Sequence, residues 1–143
     1  MRRYLVVAHR TLGGAHLLDH LRGLRAEDPY CSFHVLVPEY HPKGHTWTDG
    51  EVRATAKARL DETLESMAAM GMGATGEVGD ANPVSAIGDV LRRPGEHDFC
   101  GIVLSTLPKR TSQWWLLNVP RRVAKSFPSI PLTHVVAEEN LVS

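Results

Sequence analysis

The chain has 143 residues, 43% of them hydrophobic and 22% charged, and sixteen Lys plus Arg offset sixteen Asp plus Glu. A chain of this length is expected to form one domain, 1–143, that buries roughly two-thirds of its unfolded surface. Balanced charge argues against bulk binding to nucleic acid or to an anionic membrane surface.

Two cysteines, Cys31 and Cys100, are too few for a disulfide framework or a four-thiolate zinc site. Both are expected to be buried, reduced thiols. No apolar run reaches the roughly 18 residues that span a bilayer. Met1-Arg2-Arg3-Tyr4 runs into a short apolar stretch without the long apolar region or cleavage site of a secretory signal. A cytoplasmic location is the resulting expectation.

Five strand candidates alternate with helical stretches. The first, Tyr4-Leu5-Val6-Val7-Ala8, is apolar throughout, as a strand covered on both faces should be. Leu17, Leu21 and Leu24 share one face of a first helix that must stop near Asp28-Pro29. The second strand is Phe33-His34-Val35-Leu36-Val37, closed by Pro38. A long polar loop, 38–50, holds His41, His45 and Trp47.

Thr48 and Glu51 have capping-box spacing for a second helix, with Val52, Ala56, Leu60, Leu64 and Met67 as its apolar stripe. Thr75–Gly79 is a weak third strand, suited by its glycines to a sheet edge. Asn82-Pro83 opens a third helix with Val84, Ile87 and Leu91 inward, and Pro94-Gly95 ends it. Gly101–Ser105 is the fourth strand. Asn118 and Pro120 open a fourth helix with Val123, Ala124 and Phe127 inward, and Leu132–Val136 is the fifth strand.

This alternation predicts right-handed βαβ crossovers in an α/β fold: one three-layer α/β/α Rossmann-like domain with a parallel sheet. Five strands suggest the order 3-2-1-4-5. Ligands of such sheets bind beyond the C-terminal strand ends, where the order reverses, here between strands one and four. That places His9, Arg10 and Thr11, just beyond Ala8 at the end of strand one, on one side of a crevice and Ser105 through Gln113 on the other.

The strand pattern, with Gly101–Thr106, Arg121-Arg122-Val123-Ala124 and the proline-led Ile130–Val136, resembles the universal stress protein family of the adenine-nucleotide α-hydrolase-like superfamily. The resemblance covers essentially the whole chain. It implies the 3-2-1-4-5 sheet, a homodimer through the fifth strand, and ATP or AMP as candidate ligands. Nucleotide-binding members carry a loop G-x-x-G-x(9)-G-S/T after strand four. Here Ser105 and Pro108 stand at its first two glycines, and the third is absent. Pro108 has no N–H for a phosphate. The family's acidic residue after strand one is replaced by His9 or Arg10.

Lys109, Arg110, Thr111, Ser112 and Gln113 occupy the phosphate position. No Asp or Glu occurs from Phe99 to Ala137. Side-chain anion binding can replace backbone binding there, with Ser105 and Thr106 assisting, His9 and Arg10 facing the same ligand, and Val37 lining an adenine. Of the adjacent Trp114 and Trp115, one is expected to pack inward. His16 and His20, spaced i, i+4 around Asp19, and His41, His45 and Asp49 are metal-capable spacings without a full ligand set. Gly13-Gly14 eases the turn into the first helix.

Two function classes follow. One is a small regulatory protein binding a nucleotide or another anion. The other is a non-nucleotide-binding, dimeric interaction protein of the same fold, for which the apolar edge Leu132–Val136 supplies the pairing surface. A slow nucleotide hydrolase ranks last, because no nucleophile, acid/base pair or metal set stands out. No catalytic or metal residue is assigned, and no nucleic-acid or membrane partner is expected.

Overall fold

The computed structural model describes residues 2–8, 14–39, 48–93, 99–106 and 118–136. In chain order the elements are β1 (Arg3–Val7), α1 (Ala15–Glu27), β2 (Ser32–Pro38), α2 (Asp49–Ala69), β3 (Ala74–Gly79), α3 (Pro83–Leu91), β4 (Phe99–Thr106), α4 (Val119–Ser126) and β5 (Leu132–Val136). The strands form one sheet in the order β3-β2-β1-β4-β5, and every pairing is parallel.

Strand alternation divides the core. Val6, Phe33, Val35, Val37 and Val103 pack against Leu17 and Leu21 of α1 and Ala56, Leu60 and Met67 of α2. Leu5, Val7, Leu36, Ile102 and Leu104 pack against Ala86, Ile87 and Val90 of α3 and Val119 and Val123 of α4. The sheet therefore lies between two helical layers. Each fully buried Leu, Ile, Val or Phe contributes roughly 1.5–3 kcal/mol before chain entropy is charged against it.

Local chemistry sets the helix ends. The Thr48 hydroxyl accepts from the Glu51 amide at 3.1 Å. The Asn82 side chain accepts from the Val84 and Ser85 amides at 3.0 and 3.4 Å, with Pro83 in the first turn. α1 stops before Pro29, as the clash of a proline ring with a preceding helical residue requires. Asn118, ahead of α4, has φ 58°, in the left-handed region, which asparagine tolerates better than most residues.

Three inward faces differ from expectation. On α2, Leu64 is half-buried and Thr63 is buried; the Thr63 hydroxyl returns to the Arg59 carbonyl at 2.9 Å, which satisfies it inside the helix. α3 turns Ala86, Ile87 and Val90 inward, leaving Val84 and Leu91 half-buried. The small Ala86 suits the close approach to Gly79, where a Cβ would meet Ala86 Cβ at 3.0 Å. Ala124 of α4 is exposed, and Val119 takes its place with Val123.

Cys100 is also exposed, whereas Cys31 is buried. β1 pairs Arg3 with Phe99 but Tyr4 with Gly101. Cys100 is thus the extra residue of a strand irregularity, which leaves it without a ladder partner. Burial pushes the Cys31 thiol up from its ordinary value.

Candidate functional site

The predicted crevice lies where β1 sits between β2 and β4. Val7 pairs with Leu36 on one side and Leu104 on the other. One residue further, Ala8, Val37 and Ser105 stand abreast across three strands, and the Ala8 amide donates to the Leu36 carbonyl at 3.3 Å. Ala8 and Val37 are fully buried, and Ser105 is 2% exposed. By alternation these three side chains share the α1/α2 face of the sheet.

Thr106 is turned to the other face. Its Oγ1 lies 2.7 Å from His134 Nε2 on β5. Burial holds the His134 imidazole below its usual range. A neutral ring with its proton on Nδ1 accepts the Thr106 hydroxyl at Nε2.

The predicted ligand set is therefore only partly in view. Ala8, Val37 and Ser105 come together, and Thr106 is directed elsewhere. His9, Arg10, Lys109, Arg110, Thr111, Ser112 and Gln113 lie outside the described residues, as do Trp114, Trp115, His41 and His45. Among the described residues, no group of three or more His, Cys, Asp or Glu is arranged to hold a metal. His16 is exposed. His20 is half-buried, and its Nε2 is buried without a hydrogen-bond partner among the described residues.

A second polar cluster was not anticipated from the sequence. His34, 7% exposed, points from β2 toward β3 on the α3 face. Its Nδ1 is 2.6 Å from Thr75 Oγ1 and its Nε2 is 3.0 Å from Glu77 Oε1. A carboxylate only accepts, so Nε2 carries the proton, and Nδ1 of a neutral ring accepts from the threonine hydroxyl. Arg93, beyond α3, donates to both Glu77 oxygens.

Burial pushes the Glu77 carboxyl up, but hydrogen bonds from Arg93 and His34 outweigh it and leave the group below its ordinary value. The Phe99 ring lies 6.3 Å from His34, and Arg3 stacks on that ring at 4.8 Å. The sequence did carry a signal for this cluster: one histidine within an apolar strand, opposite a Thr-x-Glu pair at strand spacing.

No protein-family model matches the chain, and no curated protein does. Among solved structures, the universal stress protein from Archaeoglobus fulgidus superposes with a TM-score of 0.63 at 16% identity, over 94% of this chain and 93% of that one. A protein of the universal stress protein family from Burkholderia pseudomallei superposes with a TM-score of 0.63 at 15% identity, over 92% of this chain and 93% of that one. At such identities the likeness is one of fold: this chain has the five-stranded α/β architecture of those universal stress proteins, with the strand order β3-β2-β1-β4-β5.

Proposed function

We propose that the chain is a small regulatory protein of the universal stress protein type, cytoplasmic and active in a stress response. In this reading it binds a nucleotide or another small anion at the C-terminal ends of β1 and β4. The observation that carries the reading is the row Ala8, Val37 and Ser105 at the strand-order reversal, the place where open α/β sheets hold ligands. Lys109 and Arg110, helped by Thr111, Ser112 and Gln113, supply the anion contacts, and His9 and Arg10 face them from the end of β1. ATP and AMP are the first ligands to try. The protein acts as a homodimer through β5.

The experiment is a thermal-shift screen with ATP, AMP, cyclic nucleotides and inorganic phosphate. A ligand at about 100 times its dissociation constant adds about 2.7 kcal/mol of stability. The reading expects such a shift, and expects it to vanish in the K109A/R110A double variant. No shift with any of them would overturn it.

A second reading, a dimeric interaction protein without nucleotide, is favoured by one observation. The Thr106 hydroxyl is already engaged by His134 at 2.7 Å, which leaves the crevice one hydroxyl poorer than the first reading supposes.

A further inference from the structure

We propose that the outer edge of β3 is a docking site for an extended segment of a partner protein, in which apolar and basic side chains alternate. Among the described residues, β3 is the terminal strand of the sheet and pairs only with β2. The Gly79 carbonyl accepts from the Glu39 amide at 3.0 Å and so points toward β2. Along a strand, successive residues direct their amides and carbonyls to opposite edges. Gly76 and Val78 therefore turn theirs outward, a short ladder that an added strand can complete.

Two cavities flank this edge and meet at Glu77 and Val78. One, of about 610 Å³, lies on the α2 side, with Leu60, Gly76 and Val78 as its floor and Ala54, Arg53 and Lys57 along its wall. The other, of about 330 Å³, lies on the α3 side. Side chains of an added strand alternate between these two sides. Those beside Gly76 and Val78 enter the α2 side, because a Cβ on Gly76 would point at Leu60 of α2. Those beside Glu77 enter the α3 side.

The two cavities differ in chemistry. The α2 side offers Leu60, Val78 and Ala54 as apolar surface, and the aliphatic stems of Arg53 and Lys57 extend it. The α3 side carries Glu39, Glu77, Asp80 and Asp89 against Arg53 and Arg93. Arg53 matches Glu39 at 2.9 Å, and Arg93 matches Glu77. Arg92, outside the lining, matches Asp89 at 2.9 Å, and Asp80, which accepts from the Asn82 amide at 2.8 Å, carries the charge left over. The lining keeps excess negative charge, complementary to a lysine or arginine. A segment of the form basic–apolar–basic–apolar fits both sides at once.

The test uses the peptide acetyl-KVKVK-amide, with acetyl-EVEVE-amide as its charge-reversed counterpart, titrated into 15N-labelled full chain. The expected result is saturable shifting of the Gly76, Glu77 and Val78 amides by KVKVK, and binding of EVEVE weaker by about tenfold or more. V78P removes an outward N–H without touching the β2 ladder, and prolines are tolerated at such edges. Its melting temperature should stay close to wild type while peptide binding is lost. As an independent check, D80N/D89N keeps the side-chain shapes and should erase the preference for KVKVK over EVEVE. Equal binding of both peptides, unchanged binding to V78P, or shifts confined to Ala8 and Ser105 would each overturn the proposal. So would a V78P-dependent fall in the protein's own mass without peptide binding, which would assign the edge to a second copy of the chain.

Discussion

His34 and Glu77 are joined across β2 and β3 by a hydrogen bond of 3.0 Å between Nε2 and Oε1. This bond ties the outermost strand to the sheet by side chains where the backbone ladder is one-sided. Thr75 holds the other ring nitrogen at 2.6 Å, and Arg93 anchors the carboxylate from beyond α3. The edge strand, two of whose six residues are glycine, is thereby fixed in register despite having little side-chain surface to pack.

Replacing Glu77 by Ala removes the acceptor shared by His34 and Arg93. A loss of about 1–3 kcal/mol in urea unfolding is expected. The carboxyl sits below its ordinary value in the fold. Its contribution is therefore present above the unfolded value of about 4.3 and disappears as pH falls through the lower folded value. E77Q should flatten that acid limb of the stability–pH curve. An E77A loss under about 0.5 kcal/mol, within the range of an ordinary surface change, would contradict the network's role.

The His134 ring gives the same direction of pH dependence for a different reason. Its folded value is lowered by burial, so the unfolded chain takes up the proton first. Stability should be full above about pH 6.5 and fall as pH drops below it. H134Q should remove that component, and T106V should weaken the wild-type fold by about 1 kcal/mol through loss of the 2.7 Å bond. Chemical denaturation at pH 5.5 and pH 8 measures both. A wild-type slope of the other sign would contradict the buried neutral ring.

Gly76 faces Leu60 so closely that a Cβ would lie 2.5 Å from Leu60 Cδ1 and 3.0 Å from the Val35 carbonyl oxygen. G76A is expected to cost about 1–3 kcal/mol by overpacking. Coupling to L60A should be strong in a double-mutant cycle, because the two residues touch. Additive losses would show that the contact is not the cause.

Among the described residues, His20 Nε2 is buried without a partner. H20L exchanges an unsatisfied polar atom for apolar surface and should raise stability by about 1 kcal/mol. A fall in the urea midpoint would refute this.

Much of the fold was legible in the sequence, for identifiable reasons. β1, β2 and β4 are covered on both faces, so they read as mainly apolar runs, broken in β2 by His34, and proline or asparagine marks the helix ends at Asp28-Pro29 and Asn82-Pro83. The faces of short helices were less legible. α3 has nine residues, and with Ala and Val on several sides its stripe can be drawn in more than one register; the close contact at Gly79 decides it. The exposure of Cys100 depends on a strand irregularity that no residue pattern marks. His34, Thr75 and Glu77 come together only through β2–β3 pairing, so their network needs the register to be known. Of the candidate crevice, position was legible from topology. The separation of Ser105 from Thr106 follows once β4 is known to run through Thr106 as a regular strand.

β5 is the opposite sheet edge, and Val136 is 38% exposed. Pairing of two β5 strands across a two-fold axis is part of the proposed function. Light scattering at micromolar concentration should give twice the chain mass, and V136D should halve it by placing charge at the paired edge. A wild-type monomer would contradict the dimer.

The most direct measurement of the crevice is an amide-resolved titration of the 15N-labelled chain with AMP, ATP and inorganic phosphate. Saturable shifts at Ala8, Val37, Ser105 and Thr106, with the β3 amides unmoved, are predicted for at least one of the three. Spectra unchanged by all three, or shifts that spare these four positions, would contradict a ligand site at the C-terminal ends of β1 and β4.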